Sequence, residues 1–142
     1  MKIVLVSCVK SKAETPTKAK ELYISPLFKK NWAYAEALKP DKIYILSAEH
    51  GLLDPETVIA PYNKTLLAMS TRERQFWSSK VFKQLKENTD IINDTFVFLA
   101  GVTYREFLVP LLKHVETPLE GLGIGRQMHQ LDAWLTQETE KD

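Results

Sequence analysis

The sequence predicts a single α/β domain: a three-layer, Rossmann-like arrangement in which a mostly parallel four-stranded sheet carries helices on both faces. Three observations lead there. Short, β-branched apolar runs at Lys2–Ser7, Lys42–Ser47 and Thr95–Ala100 have the composition of strands buried on both faces. Stretches with apolar residues at helical spacing separate these runs, so the strands are joined by right-handed crossovers and lie parallel. The length of 142 residues and the 44% hydrophobic content suit one domain with one core, occupying residues 1–142.

Each element has its own local reason. Lys2–Ser7 is the first strand, and the polar stretch Cys8–Thr15 follows it. Pro16 suits the first turn of a helix carrying Ala19, Leu22 and Tyr23 inward. Ser25-Pro26 repeats that start signal, and Leu27, Phe28, Trp32, Ala35 and Leu38 keep near-helical spacing until Lys39-Pro40 stops the run. Lys42–Ser47 is the second strand. From Ala48 to Lys64 the chain has turn signals at Gly51, Asp54-Pro55 and Pro61 but little periodicity, which predicts a long functional loop with Leu52 and Leu53 as plugs beneath it. Ser70 with Glu73 is a capping box for a helix marked by Phe76, Trp77, Val81 and Leu85 and running to about Asn88. Thr95–Ala100 is the third strand. Tyr104, Phe107, Leu108, Leu111 and Leu112 predict a helix that takes Pro110 as a kink. Val115–Leu119 is a short fourth strand, and a last helix spans about Arg126–Gln137, with His129, Leu131 and Trp134 as packing residues.

Charge is nearly balanced, 19 Lys and Arg against 18 Asp and Glu, so the total neither requires nor excludes nucleic acid. Its distribution leans. Lys10, Lys12, Lys18, Lys20, Lys29 and Lys30 face only Glu14 and Glu21 in that stretch, while the tail from Asp132 to Asp142 is acidic. The alternative is an ordinary solvated face. One cysteine, Cys8, and no zinc-like spacing point to a reducing, cytoplasmic setting without a structural metal or a cofactor. The N-terminus lacks a signal-peptide layout and no stretch is long enough to span a bilayer, so no membrane association is expected.

In open sheets of this kind, ligands bind beyond the carboxyl ends of the strands, which selects four loops. The first offers Ser7, Cys8, Lys10, Ser11 and Lys12, suited to phosphate or another anion. Cys8 is a candidate nucleophile or a packing thiol. The second contains Ser47, Glu49, His50 and Tyr62. Glu49 and His50 are a candidate acid–base pair, and Tyr62 a platform for a base. Loop bonding of His50 and plain packing of Tyr62 are the alternatives. The third, Ala100 to Arg105, sets Gly101 and Tyr104 at a strand end before a helix start, where free backbone N–H groups accept an anion; a plain strand-to-helix turn is the alternative. The fourth holds Gly121, Gly123 and Gly125, three of the chain's five glycines, followed by Arg126 and Gln127. That density implies close backbone approach or positive φ angles, read here as contact with phosphate or a nucleobase, with Arg126 as a fork for phosphate. Its spacing is not the dinucleotide fingerprint.

At the second loop, Leu46-Ser47-x-x-His50-Gly51-Leu52-Leu53-x-Pro55-x-x-x-Ile59-x-Pro61-Tyr62 resembles the Leu-Ser-x-x-Tyr-Gly-Leu-Leu-x-Pro-x-x-x-Ile-x-Pro-Tyr segment of the YaaA peroxide-stress proteins. His50 stands where that family has tyrosine. Nearly the whole chain is similar to a YaaA-related family of short, uncharacterised bacterial and archaeal proteins. The shared features are Cys8-x-x-x-Lys12, Leu22-Tyr23-x-Ser25-x-Leu27-Phe28 and Gly121-Leu122-Gly123-Ile124-Gly125. The order Cys8, Lys12, Tyr23, Ser25 is a more distant likeness to the uracil-DNA-glycosylase-like domain of archaeosine synthase. These resemblances imply a DNA-binding, stress-response role with a nucleic-acid ligand.

The expected function is a nucleic-acid-acting protein, a DNA glycosylase-like hydrolase of the N-glycosidic bond in modified DNA. Glu49 and His50 would be catalytic, Lys10, Lys12 and Arg126 would hold phosphates, and Tyr62 or Tyr23 would face the base. Two rivals stand beside it: a noncatalytic YaaA-like DNA-binding stress protein and an enzyme of small-molecule nucleotides or nucleosides.

Overall fold

The computed structural model describes residues 1–9 and 12–141, without the side chains of 138–141. The predicted strands are present: β1 is Lys2–Ser7, and a two-residue β2, Thr17–Lys18, precedes helices α1, Ala19–Leu22, and α2, Pro26–Ala37. Then come β3, Lys42–Ser47, β4, Gly51–Leu53, and β5, Val58–Ile59. Helix α3 is Thr71–Asn88, β6 is Thr95–Leu99 and α4 is Val102–Arg105. Strand β7, His114–Glu116, and helix α5, Ile124–Lys141, complete the order. Short 3-10 turns lie at Leu66–Ala68 and Val109–Leu111.

The main sheet has five strands, not four, in the order β4-β3-β1-β6-β7. β3, β1, β6 and β7 are mutually parallel and β4 is antiparallel at the edge. Ile3, Val4, Leu5 and Val6 are all at most 1% exposed, so both faces of β1 are covered, as an unbroken apolar run in a central strand requires. The chain steps from β1 to β3 on one side and then crosses to β6 on the other. The strand order therefore reverses around β1, which opens a crevice at the carboxyl ends of β1 and β6.

The segment after β3 is not a strandless loop. Ala48–His50 form a turn, and Gly51 adopts φ +73°, a conformation that glycine takes without steric cost, so the chain folds back to pair Ser47 with Gly51 and Ile45 with Leu53. Gln84 of α3 covers the outer edge, accepting the Leu52 N–H at 2.8 Å. Leu53 is buried, as expected of a plug, in this strand.

The helix expected from Pro16 begins only at Ala19, because Thr17 and Lys18 pair antiparallel with Ile59 and Val58. The Thr57 and Pro55 carbonyls then take the Ala19 and Lys20 N–H groups at 2.8 and 3.0 Å. Pro110 does not kink a continuous helix. α4 stops at Arg105 and a separate 3-10 turn holds the proline, as the missing N–H and the clash with the preceding turn dictate. β7 starts one residue earlier and ends three earlier than the predicted fourth strand.

Two helix starts are as the sequence predicts. Ser25 Oγ accepts the Phe28 N–H at 3.1 Å, and Ser70 and Glu73 form a reciprocal capping box. The buried stripe of α3 is Trp77, Ser78, Val81 and Leu85; Phe76, expected to share it, points outward and is 78% exposed. On α5, Leu131 is buried and Trp134 stacks on Tyr34 at 4.8 Å, whereas His129 is exposed and not a packing residue. No helix among the described residues is long and apolar enough to cross a membrane.

Candidate functional site

The carboxyl ends of β1 and β3 and the segment returning through Tyr62 form a buried hydroxyl cluster. Tyr23 and Tyr62 join hydroxyl to hydroxyl at 2.6 Å, Tyr62 meets Ser47 Oγ at 2.9 Å, and Ser47 Oγ accepts the His50 N–H at 3.0 Å. Ser47 is fully buried and Tyr23 is 1% exposed, its ring tilted against Phe28 at 5.1 Å. The ring of Tyr23 is thus enclosed in the core and only its hydroxyl takes part in the cluster. The Tyr62 ring meets the His50 imidazole edge-on at 5.7 Å, and Lys12 Nζ lies 4.5 Å from its centroid. Burial pushes the Tyr23 phenol up to about 12, the hydrogen bond from Tyr62 partly opposing it. Tyr62 is raised further, again chiefly by burial. Both phenols therefore remain protonated at neutral pH and act as hydrogen-bond donors rather than bases.

Cys8 joins the cluster to the crevice. Its N–H is held by the Leu46 carbonyl at 2.9 Å, and its thiol, in a residue 6% exposed, donates to the Tyr104 hydroxyl at 3.3 Å. The loops after β1 and β6 meet through this bond. Burial raises the Tyr104 phenol as well. A cavity of about 30 Å³ beside it is bounded by Val9, Lys12, Asn63, Lys64, Thr65 and Tyr104. That is the size of one water molecule in a polar setting.

Trp77 forms the opposite wall. Its indole N–H donates to the Ser47 carbonyl at 2.9 Å and its ring stands perpendicular to Tyr104 at 5.6 Å. On its outer side a groove of about 450 Å³ runs along α3, lined by Glu49, Lys64, Met69, Arg72, Phe76 and Lys80 among others. Lys64 borders both the small cavity and the groove. Its ammonium lies 4.0 Å from Glu49, with both side chains close to half exposed, a pairing worth at most about 1 kcal/mol and readily exchanged for a ligand.

The expected site residues thus fall into groups. Ser7, Cys8, Lys12, Tyr23, Ser47, His50, Tyr62 and Tyr104 come together around the ends of β1 and β3 or at the β1–β6 crevice. Glu49 faces the groove, so the adjacent Glu49 and His50 engage different neighbours. Gly101, Gly123 and Gln127 line a pocket of about 400 Å³ with Arg105 and Leu122, which unites the third and fourth loops. Gln127 spends its side-chain N–H on the Leu122 carbonyl at 2.8 Å. Gly125 and Arg126 are exposed on the first turn of α5 and do not line that pocket. Ser25 serves as the cap of α2, and Lys10 lies outside the described residues. Sequence reasoning missed Lys64, Arg72, Phe76 and Lys80. The signal was present as Arg72, Phe76 and Lys80 at i, i+4 and i+8, two cations flanking an aromatic on one helix face. Among the described residues no group of His, Cys, Asp and Glu side chains is placed to hold a metal ion.

Residues 3–133 match the model of a family described as a family of unknown function (DUF6884), and the chain belongs to that family. No curated protein and no solved structure matches it.

Proposed function

We propose that this member of the family acts on nucleic acid, as a DNA glycosylase-like hydrolase of the N-glycosidic bond of a modified base. The observation that carries this reading is the placement of Lys12, His50 and the Tyr23–Tyr62–Ser47 hydroxyls at the ends of β1 and β3, one residue from Glu49 at the edge of a nucleotide-sized groove. The likeness of residues 46–62 to the YaaA segment supports a nucleic-acid ligand. The Rossmann-like three-layer arrangement, with helices on both faces of the parallel strands, belongs to the same proposal, as does a reducing, cytoplasmic setting inferred from the single buried Cys8.

In this reading the target nucleotide leaves the stack and lies across the strand tips. Glu49 faces the sugar, where its carboxylate stabilises the positive charge that develops at C1′ and orients the attacking water. The C1′–N bond breaks, water oxygen bonds to C1′, and the departing base nitrogen gains a proton. His50 is the proton carrier, its ring fixed against Tyr62 and its backbone against Ser47. Lys12 and Arg126 face phosphates, and the tyrosine hydroxyls, held protonated and bonded to one another and to Ser47, keep the turn that carries Glu49 and His50 in place.

The test is an abasic-site assay over duplex and single-stranded DNA carrying a panel of modified bases. Product is expected with the unaltered chain and a loss of about a hundredfold or more in Glu49→Gln and His50→Ala, the usual scale for a general acid–base group. Absence of product across the panel, or activity in both variants unchanged from that of the unaltered chain, refutes the proposal. One observation favours a noncatalytic, YaaA-like DNA-binding role instead: the pairing of Glu49 with Lys64, which leaves the carboxylate partly neutralised. That reading requires DNA affinity that survives Glu49→Gln.

A further inference from the structure

Helix α3 presents a feature that the strand-tip chemistry does not use. Phe76 is 78% exposed, although a large aromatic in the middle of an eighteen-residue helix ordinarily turns inward. It stands in the groove of about 450 Å³ with Arg72 one turn before it and Lys80 one turn after. Arg72 and Lys80 have no ion-pair partner among the described residues. The two acids of the groove are both engaged, Glu49 by Lys64 at 4.0 Å and Glu73 in the capping box, where its carboxylate accepts the Ser70 N–H at 3.1 Å. The backbone of Ser70 holds the Glu73 carboxyl below its ordinary value, so that carboxylate stays ionised and committed to the cap. What the groove offers a partner is therefore an open aromatic ring between two uncommitted cations, with Met69 and the edge of Trp77 as an apolar floor.

We infer that this groove binds a single-stranded segment of nucleic acid, one base lying flat on Phe76 and the flanking phosphates meeting Arg72, Lys80 and Lys64. The ring calls for an exposed planar partner and the cations for anions on both sides of it, a combination that unpaired nucleotides supply. A duplex does not supply it, since its base faces are covered by neighbouring pairs. The volume suits one nucleotide. The inference rests on the proposed action on nucleic acid and names the surface that would hold the strand while Glu49, on the wall of the same groove, faces the sugar.

The experiment is fluorescence anisotropy of a short, dye-labelled single-stranded oligodeoxynucleotide titrated with the full chain, with duplex DNA and phosphatidylserine vesicles as parallel arms. Phe76→Ala is expected to weaken single-strand binding by roughly tenfold, as loss of one base–aromatic stack does. Arg72→Ala and Lys80→Ala are each expected to flatten the log–log salt dependence by about 0.7. Because these side chains are exposed, all three variants fold as the unaltered chain does, which circular dichroism checks. Unchanged single-strand affinity in Phe76→Ala overturns the inference. So does a preference for duplex, or binding by vesicles alone. The failures are separable: abasic product with Phe76→Ala binding as tightly as the unaltered chain removes the groove and keeps the glycosylase reading. Single-strand binding that depends on Phe76, without abasic product, removes the glycosylase reading and keeps the groove.

Discussion

Two regions meet at Trp77 and differ in almost every physical respect. On its inner side the Tyr23–Tyr62–Ser47 cluster is largely buried, with each hydroxyl bonded to another protein group. On its outer side the groove along α3 is open and cationic, with Phe76 uncovered. Polar residues gathered at a strand tip are not thereby free for a ligand, because much of their bonding capacity is spent on one another. The inner cluster fixes backbone positions, including the turn that carries Glu49 and His50. The outer groove is where uncommitted groups remain.

The largest expected effect breaks both regions together. Trp77→Ala empties a 5%-exposed site and leaves the Ser47 carbonyl without its donor, which should cost about 3–5 kcal/mol in urea denaturation. A cost below about 1 kcal/mol would mean that Trp77 does not couple the two sides. Next, Tyr62→Phe removes the oxygen that joins Tyr23 to Ser47 and should cost about 1–3 kcal/mol. pH sharpens the same point. Tyr23 has its folded phenol raised from 10.0 to about 12, so the stabilisation it contributes is fully present below pH 10 and is lost as pH rises from 10 toward 12. Denaturation midpoints measured across that window should fall less steeply in Tyr23→Phe. The smallest effect belongs to the outer side: Phe76→Ala should change stability by no more than about 0.5 kcal/mol, since a ring 78% exposed adds little to the core.

What the sequence made legible follows from range. β1, β3 and β6 are continuous apolar runs, and the caps at Ser25 and Ser70 depend on residues three positions away, so local pattern suffices for both. β4 was hidden because it has three residues, and its outer edge is completed by Gln84, 32 positions from Leu52. The strand tips were recognisable as a group, since strand order places Ser7, Cys8 and Ser47 at neighbouring ends of β1 and β3. The roles within the group were not. Tyr23 reads as a ring that could meet a base, yet its ring is core and only its hydroxyl reaches the strand-tip cluster. Phe76 reads as core because its spacing is one residue from the true inward stripe at Trp77, Val81 and Leu85, a difference that periodicity cannot resolve beside another aromatic.

The proposed nucleic-acid ligand would lie across the strand tips and the α3 groove. The most direct test is NMR chemical-shift mapping of the full chain with a single-stranded oligodeoxynucleotide. Shifts concentrated at Lys12, Glu49, His50, Lys64, Arg72, Phe76 and Lys80 are the expected result. Shifts that leave these residues unmoved and gather instead on the opposite edge of the sheet, around β7, would contradict it.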